Sequence, residues 1–172
     1  RSRIDTCLFT YTSGCTILWL AVWVDDVVIV DNSVALRDRF ISAISAKFPI
    51  EDTPTLDWVL GIKVTRDRAA RKIILSQSLY VKDLVQKFAG HLTDITRRFD
   101  TPLSDSIVYD TSQCPAPESP EANEMTSYHA HYMSIIGALH WLLCTRVDLT
   151  YTVSVLSRFV NNPGMLHYKA LQ

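Results

Sequence analysis

The stretch that most constrains the fold is residues 17–30, which read Ile-Leu-Trp-Leu-Ala-Val-Trp-Val-Asp-Asp-Val-Val-Ile-Val. A run this rich in Val, Ile, Leu and Trp favours a buried β-strand, yet Asp25 and Asp26 interrupt it. Ionised carboxylates are costly to bury without a partner. The sequence therefore predicts a hairpin, with residues 17–24 and 27–30 as strands and the two aspartates at its exposed tip.

The aspartate pair has an ordinary explanation, because Asp is among the commonest turn residues. Here, however, hydrophobic residues reach the charges on both sides, with no Gly or Asn to open the turn. Asp25 and Asp26 are therefore candidate ligands of a divalent cation, for which Mg²⁺ is suited because it keeps waters and needs few carboxylates. Neighbouring strand residues point to opposite faces, so a further carboxylate from another strand is expected to complete such a site.

Composition bounds the class of protein. With 48% hydrophobic and 20% charged residues the chain is typical of globular proteins, and its net charge of −1 restricts nucleic-acid binding to local basic patches. Such patches occur at residues 63–72 and at Arg97 and Arg98. The longest apolar run, residues 17–24, is too short to span a bilayer, and no signal peptide is expected. Both chain ends are interpreted as cuts.

The first half of the chain predicts strands packed with a helix. Asn32 or Ser33 can cap a helix to about Lys47, with apolar residues four apart on one face: Leu36, Phe40, Ile44 and Phe48. A second hairpin follows over residues 57–65 and 72–76. Within it, Gly61 inside a strand predicts the close approach of another backbone.

The second half predicts helices around an irregular segment. A helix is expected over 77–90, and prolines mixed with Ser, Thr, Asp and Glu predict a flexible linker over 91–127. Amphipathic spacing then predicts a helical segment over 128–172. The fold class is therefore α+β, with an antiparallel sheet and packed helices over 1–76 and a helical subdomain after it.

The chain carries an ordered set of short motifs. Trp23-Val24-Asp25-Asp26 resembles the Tyr-x-Asp-Asp signature of reverse transcriptases, and the downstream matches resemble the polymerase of copia-type retrotransposons. These are Leu60–Val64, Ile74–Tyr80, Ile136–Leu139, Thr145–Leu149, Leu156–Phe159, Asn162–Gly164 and His167. The resemblance covers nearly the whole chain. It implies a piece of an RNA-directed DNA polymerase that contains the later palm and the thumb or connection region.

The resemblance also implies roles for particular residues. Asp25 and Asp26 would be the catalytic, metal-binding carboxylates, with Mg²⁺ or Mn²⁺ as cofactor in two-metal nucleotidyl transfer. The residues implied to contact nucleic acid are Trp23, Leu60, Gly61 and Lys63. The implied partners are an RNA or DNA template with primer and dNTPs, the upstream palm and fingers, and a downstream RNase H. No membrane partner is expected.

At three positions the sequence departs from the family pattern in ways that bear on activity. Trp23 stands where the family usually carries Tyr, Val147 where it carries Pro, and Asp31 where many relatives place Gly. The fingers and the first catalytic aspartate would precede Arg1, so the 172 residues alone are expected to be inactive. The alternatives left open are a non-catalytic nucleic-acid-binding or degenerate remnant of the same element, and an unrelated domain with an accidental Asp-Asp turn.

Overall fold

The computed structural model describes residues 1–91, 100–103 and 106–172. Within them the chain forms two antiparallel three-stranded sheets and five α-helices, which confirms the predicted α+β class. The chain divides into two compact units, Arg1–Asp57 and Trp58–Gln172. The predicted basic pair Arg97 and Arg98 lies outside the described residues.

The first unit is a three-stranded meander followed by one helix. Strands β1 (Leu8–Ser13), β2 (Thr16–Trp23) and β3 (Asp26–Asp31) pair in chain order, and helix α1 spans Val34–Ser45. Ser33 caps α1, since its hydroxyl accepts a hydrogen bond from the backbone N–H of Leu36 at 3.4 Å. The helix predicted after Asn32 or Ser33 is thus present, and it ends close to the expected residue.

Alternation along β2 gives the sheet two different faces. Leu18 is buried and Leu20 and Val22 are half-buried, whereas Trp19 and Trp23 are exposed. On α1 the half-buried residues recur four apart, at Leu36, Phe40 and Ile44. Phe48, predicted on the same helical face, is instead exposed because α1 ends at Ser45, three residues before it.

The second unit begins with a smaller sheet. Its strands are β4 (Trp58–Val59), β5 (Ile62–Asp67) and β6 (Lys72–Ser76), again paired in chain order. The sequence predicts Gly61 inside a strand. In the structure it lies in the turn between β4 and β5. A Cβ built on Gly61 would meet no described atom within 4 Å, so the predicted close approach is wrong. Positive φ explains this glycine instead.

Four helices complete the second unit: α2 (Ser78–Phe88), α3 (Pro120–Leu142), α4 (Thr150–Ser157) and α5 (Met165–Lys169). Short 3₁₀ helices lie at Ala89–His91, Thr111–Gln113 and Val147–Leu149. Among the described residues, no helix is long and apolar enough to cross a bilayer.

The described part of the expected linker over 91–127 is more ordered than its composition indicated. The Asp110 carboxylate accepts a hydrogen bond from Ser112 N–H at 2.8 Å, which starts the 3₁₀ helix Thr111–Gln113. Helix α3 then begins at Pro120, with Ser119 accepting from Ala122 N–H at 3.1 Å. Proline at the first helical position lacks only an N–H that would have no partner there. Pro120 therefore starts a helix rather than preventing one.

Long-range hydrogen bonds join α2 to the end of α3. The buried side chain of Gln77 donates from Nε2 to the carbonyl of Trp141 at 3.0 Å and accepts from the Thr145 hydroxyl at 2.7 Å. The Tyr80 hydroxyl donates to the Ala138 carbonyl at 3.2 Å. A buried amide is costly without partners, so these bonds fix how the two helices pack.

The core of the second unit forms between α3, α4 and α5. Tyr132 and Leu156 are fully buried there, and the Tyr132 hydroxyl donates to the Leu156 carbonyl at 2.7 Å. Burial raises the pKa of Tyr132, so the hydroxyl remains a donor at all ordinary pH values. The other buried members of this cluster are Tyr109, Met125, Ile136, Phe159 and Tyr168.

A close backbone contact and a buried histidine hold the start of α5. Gly164 packs directly on the carbonyl group of Gln113, where a Cβ would overlap the carbonyl oxygen. The N–H of Gly164 donates to Nδ1 of His167 at 3.0 Å. The His167 ring is fully buried and stacks on Phe159 with 3.8 Å between ring centroids.

We expect Gly164→Ala to lower the free energy of unfolding by about 1–3 kcal/mol, because the new methyl group forces Gln113 away. Gly137→Ala is the matched control. Gly137 lies exposed in α3 with open space around it, so the same added methyl should stabilise by about 0.5–1 kcal/mol. Urea denaturation of both variants measures the difference, and equal effects of the two changes would contradict it.

We also expect stability to depend on the protonation of His167. Burial lowers its pKa, and the backbone and charge of Asp110 oppose this only in part. The unfolded state therefore binds the proton more readily than the folded state. This contribution to stability is complete above the unfolded pKa of about 6.5 and is lost as the pH falls below it.

Chemical denaturation between pH about 7 and about 5 measures this dependence. In His167→Asn the side-chain oxygen can still accept from Gly164 N–H, but nothing titrates. Although this variant loses the Phe159 stack, its stability should fall less steeply with decreasing pH than that of the unsubstituted chain. Parallel pH profiles would show that His167 does not contribute.

Candidate active site

The tip of the β2–β3 hairpin is one residue away from its predicted position. Trp23 pairs with Asp26 as the last register pair, so the two-residue turn consists of Val24 and Asp25. Asp26 is the first residue of β3 rather than part of the turn. Asp25 and Asp26 are both exposed at this end of the sheet, as the cost of burying them requires.

The turn is strained at Val24. This residue has a φ of 49°, in the left-handed region that β-branched residues rarely adopt, and its side chain is 83% exposed. Packing of the Val24 side chain therefore does not offset the strain. Glycine is the usual residue at such a position in a two-residue hairpin turn. Strained backbone of this kind is concentrated at functional sites.

The register places Trp23 and Asp26 opposite each other on the same face of the sheet. Trp23 is 61% exposed, so an indole surface lies beside a carboxylate and can be reached by a ligand. Among the residues that the structure describes, no cluster of three or more His, Cys, Asp or Glu side chains could hold a metal ion. Within the described residues, Asp25 and Asp26 therefore belong to no such cluster.

The opposite face of this sheet carries a different kind of feature. A mainly apolar cavity of about 340 Å³ lies between the sheet and α1, with Leu18, Leu20, Leu36 and Phe40 among its lining residues. Its main strand residues share the face opposite Trp23 and Asp26. The cavity is therefore separate from the two carboxylates and offers them no ligand.

The other predicted site residues belong to the second unit. Leu60 and Gly61, with φ of 49° and 76°, form the two-residue turn that joins β4 to β5. Positive φ at both positions is the requirement of a type I′ turn. Lys63 is exposed on β5 and lies directly opposite Trp58.

Trp58 and Val24 lie next to predicted site residues, and the sequence alone did not single them out. Trp58 is 48% exposed beside Lys63, which makes an aromatic and a cationic side chain neighbours on one face. In the sequence, Trp58 is an aromatic residue two positions before the Leu60-Gly61 turn, which is the only signal that could have identified it. If the hairpin is assigned a turn of only two residues, with Asp26 as the first residue of the second strand, Val24 becomes the first residue of that turn.

Comparison with known proteins finds several similar sequences of one kind, the Pol polyproteins of transposons. The chain is 29% identical to the retrovirus-related Pol polyprotein from transposon TNT 1-94 of Nicotiana tabacum, over 99% of this chain and 13% of the polyprotein. It is 30% identical to that from transposon RE2 of Arabidopsis thaliana, over 100% of this chain and 11% of the polyprotein. The homologues of this chain are copia-type Pol polyproteins. The chain spans only about a tenth of their length.

The polyprotein from transposon RE1 of Arabidopsis thaliana gives a similar result, with 29% identity over 100% of this chain and 11% of its own length. No family model matches the chain. No solved structure matches it either. The relationship to retrotransposon polyproteins thus rests on sequence similarity over essentially all of this chain.

Several of the motifs that carry the resemblance have packing roles in the second unit. Gln77 bonds to Trp141 and Thr145, Tyr80 bonds to Ala138, and Gly164 bonds to His167. The bonds of Gln77 and Tyr80 join α2 to the end of α3, and the bond of Gly164 closes the first turn of α5. Exposed motif residues include those at the two hairpin turns and Lys63, and also the charged side chains of Arg146, Asp148 and Arg158.

We expect Val24→Gly to raise the free energy of unfolding by about 1 kcal/mol, because glycine adopts the left-handed backbone without steric cost. Val30→Gly is the control. Val30 is exposed within β3, where glycine weakens a strand, so this change should destabilise. Thermal or urea unfolding of both variants tests the strain, and a loss of stability in Val24→Gly would refute it.

Proposed function

We propose that this chain forms part of the palm, and the thumb or connection region, of a copia-type RNA-directed DNA polymerase. In this proposal Asp25 and Asp26 are its catalytic, metal-binding carboxylates. The observation that carries the proposal is the exposed carboxylate pair at a strained hairpin tip. It occurs in a chain similar over its full length to retrotransposon Pol polyproteins.

The residues at the tip fit Mg²⁺ or Mn²⁺ as a partial ligand set. Such ions are commonly held by one or two carboxylates, with waters and substrate phosphates completing the coordination. A bound divalent metal would stabilise developing charge on phosphoryl oxygens and lower the pKa of the attacking hydroxyl. Asp25 and Asp26 would hold it, and a further carboxylate would come from another part of the polyprotein.

The remaining residues of the proposal contact nucleic acid. The exposed indole of Trp23 lies beside Asp26 and can stack on a base or sugar at the reacting end of a primer. In the second unit, Leu60 and Gly61 offer turn backbone, and Lys63 offers a cation for a phosphate. The proposed partners are a template with primer, dNTPs, the upstream palm and fingers, and a downstream RNase H.

We expect this chain to work in place of the stretch it matches in the Nicotiana tabacum polyprotein. Such a chimera should incorporate dNTPs on an RNA template in Mg²⁺. Asp25→Asn or Asp26→Asn should lower the rate by about 10³-fold or more, because metal charge stabilisation amounts to several kcal/mol. Glu51→Gln, which removes an exposed carboxylate of the same unit, should leave the rate unchanged.

An inactive chimera made in an active host polyprotein would contradict the proposal, as would full activity of the two aspartate variants. The 172 residues alone should incorporate no nucleotide. They should nevertheless bind Mn²⁺ weakly, which paramagnetic broadening of the Trp23 indole signal can detect. That broadening should disappear in Asp25→Asn/Asp26→Asn.

A second candidate function is nucleic-acid binding without catalysis. The observation that favours it is the exposed Trp58–Lys63 pair on the second sheet, since an aromatic surface beside a cation is typical of single-strand binding. Binding of a primer–template hybrid that is salt-dependent, and unchanged by Asp25→Asn/Asp26→Asn, would support this candidate.

A further inference from the structure

Positive charge is concentrated in one hairpin of this nearly neutral chain. Residues 62–76 contain five of the 17 Lys and Arg residues but only one of the 18 Asp and Glu residues. Four of the five cations lie around the turn between β5 and β6, and all four are exposed. We call them the basic tip: Arg66, Arg68, Arg71 and Lys72.

The basic tip is ordered by backbone contacts that leave its charges unpaired. The only carboxylate nearby along the hairpin, Asp67, accepts a hydrogen bond from the N–H of Ala70 at 2.9 Å. The N–H of Arg71 donates to the carbonyl of Arg68 at 3.4 Å. In the described part of the chain, no residue of the basic tip forms an ion pair. Asp67 lies opposite Lys72 in the strand register, but its carboxylate forms no ion pair with any of the four cations.

The backbone at Arg71 makes this arrangement unusual. Arg71 has a φ of 53°, at a turn position where glycine would be adopted without strain. The side chain is exposed, so little packing offsets the strain. The turn therefore carries a charge where its conformation favours glycine, as expected of a residue that serves a ligand.

The basic tip is distinct from the turn at Leu60 and Gly61. The two turns lie at opposite ends of β5, which has six residues and extends about 3.3 Å per residue, so they are about 20 Å apart. Between them, one face of the sheet carries exposed Trp58, Lys63 and Ile74. Lys72 continues this face to the tip.

The exposed cations of the basic tip, together with the exposed aromatic and apolar side chains beside them, indicate the class of partner. Nucleic acid presents closely spaced phosphates, and a duplex carries one negative charge per ~1.7 Å of its axis, so a 20 Å hairpin can meet several. Aromatic and apolar side chains between cations suit a ligand that also offers base and sugar surfaces. An acidic peptide would match the cations alone.

We propose that the basic tip, together with the exposed face of β5 and β6, binds the phosphate backbone of a nucleic acid at a site separate from the Leu60–Gly61 turn. The choice of nucleic acid as ligand rests on the proposed function. The binding itself requires neither a metal ion nor Asp25 and Asp26.

The test is the salt dependence of binding by the full chain. The probe is a fluorescent RNA–DNA hybrid in metal-free buffer that contains a chelator. Arg68→Gln/Arg71→Gly removes two charges, and the Arg71→Gly change also relieves the strained φ, so weaker binding cannot be attributed to unfolding. We expect the slope of log affinity against log salt to become smaller by about 2.

The charge-matched control is Lys82→Gln/Lys169→Gln, which removes two exposed cations from α2 and α5 of the same unit. It should leave the slope unchanged, and so should Asp25→Asn/Asp26→Asn. An inactive chimera with the Nicotiana tabacum polyprotein, made from a chain that still binds the hybrid, would count against the polymerase proposal only. Equal slopes for the basic-tip variant and the lysine control would overturn the site. Competition by polyglutamate as strong as by unlabelled hybrid, at equal charge, would overturn nucleic acid as the ligand.

Discussion

The register between β2 and β3 determines what the first unit can do. Six residue pairs, from Leu18 with Asp31 to Trp23 with Asp26, fix the position of every side chain on the hairpin. A slip of one residue would turn Leu18 and Leu20 away from α1 and move Trp23 away from Asp26. At the other end, the Asn32 side chain accepts from Ile17 N–H at 2.9 Å and donates to the Cys15 carbonyl at 2.7 Å. The carboxylates are therefore held at the tip by contacts that lie well away from them.

The second unit follows a different principle, in which buried polar side chains specify how helices meet. Gln77 satisfies both ends of its amide across α3, and His167 joins the start of α5 to Phe159. A buried polar group left without a partner is costly, so alternative packings are disfavoured more strongly than apolar contacts alone could achieve. The short motifs identified in the sequence thus include residues whose direct role is to assemble the scaffold.

The sequence was sufficient for the features that local chemistry decides. The apolar run and its two charges located the first hairpin, and a cap at Asn32 or Ser33 located the start of α1, because burial cost and capping act over a few residues. The sequence was insufficient where one residue type is compatible with two different local structures. Pro120 was interpreted as part of a linker, although proline also begins helices, and Gly61 as a place of close approach, although glycine also permits positive φ.

For the candidate site, the residue types were predictable but their exact placement was not. The position of Asp26 inside β3 and the strain at Val24 both follow from a turn of two residues, which hydrophobic pattern alone does not define. The face shared by Trp58 and Lys63 likewise depends on strand pairing. Pairing is set by tertiary structure, so a single sequence gives it only indirectly.

The bonds of Gln77 have a consequence for how the chain is made. Its partners Trp141 and Thr145 lie 64 and 68 residues further along. At a synthesis rate of about 5–20 residues per second, the β4–β6 sheet would wait roughly 3–13 seconds before the end of α3 is synthesised. During that interval the Gln77 amide, buried in the finished unit, has neither of its hydrogen-bond partners. The sheet and the start of α2 are thus made well before the contacts that dock them on α3, and they remain open to chaperones or to other chains until then.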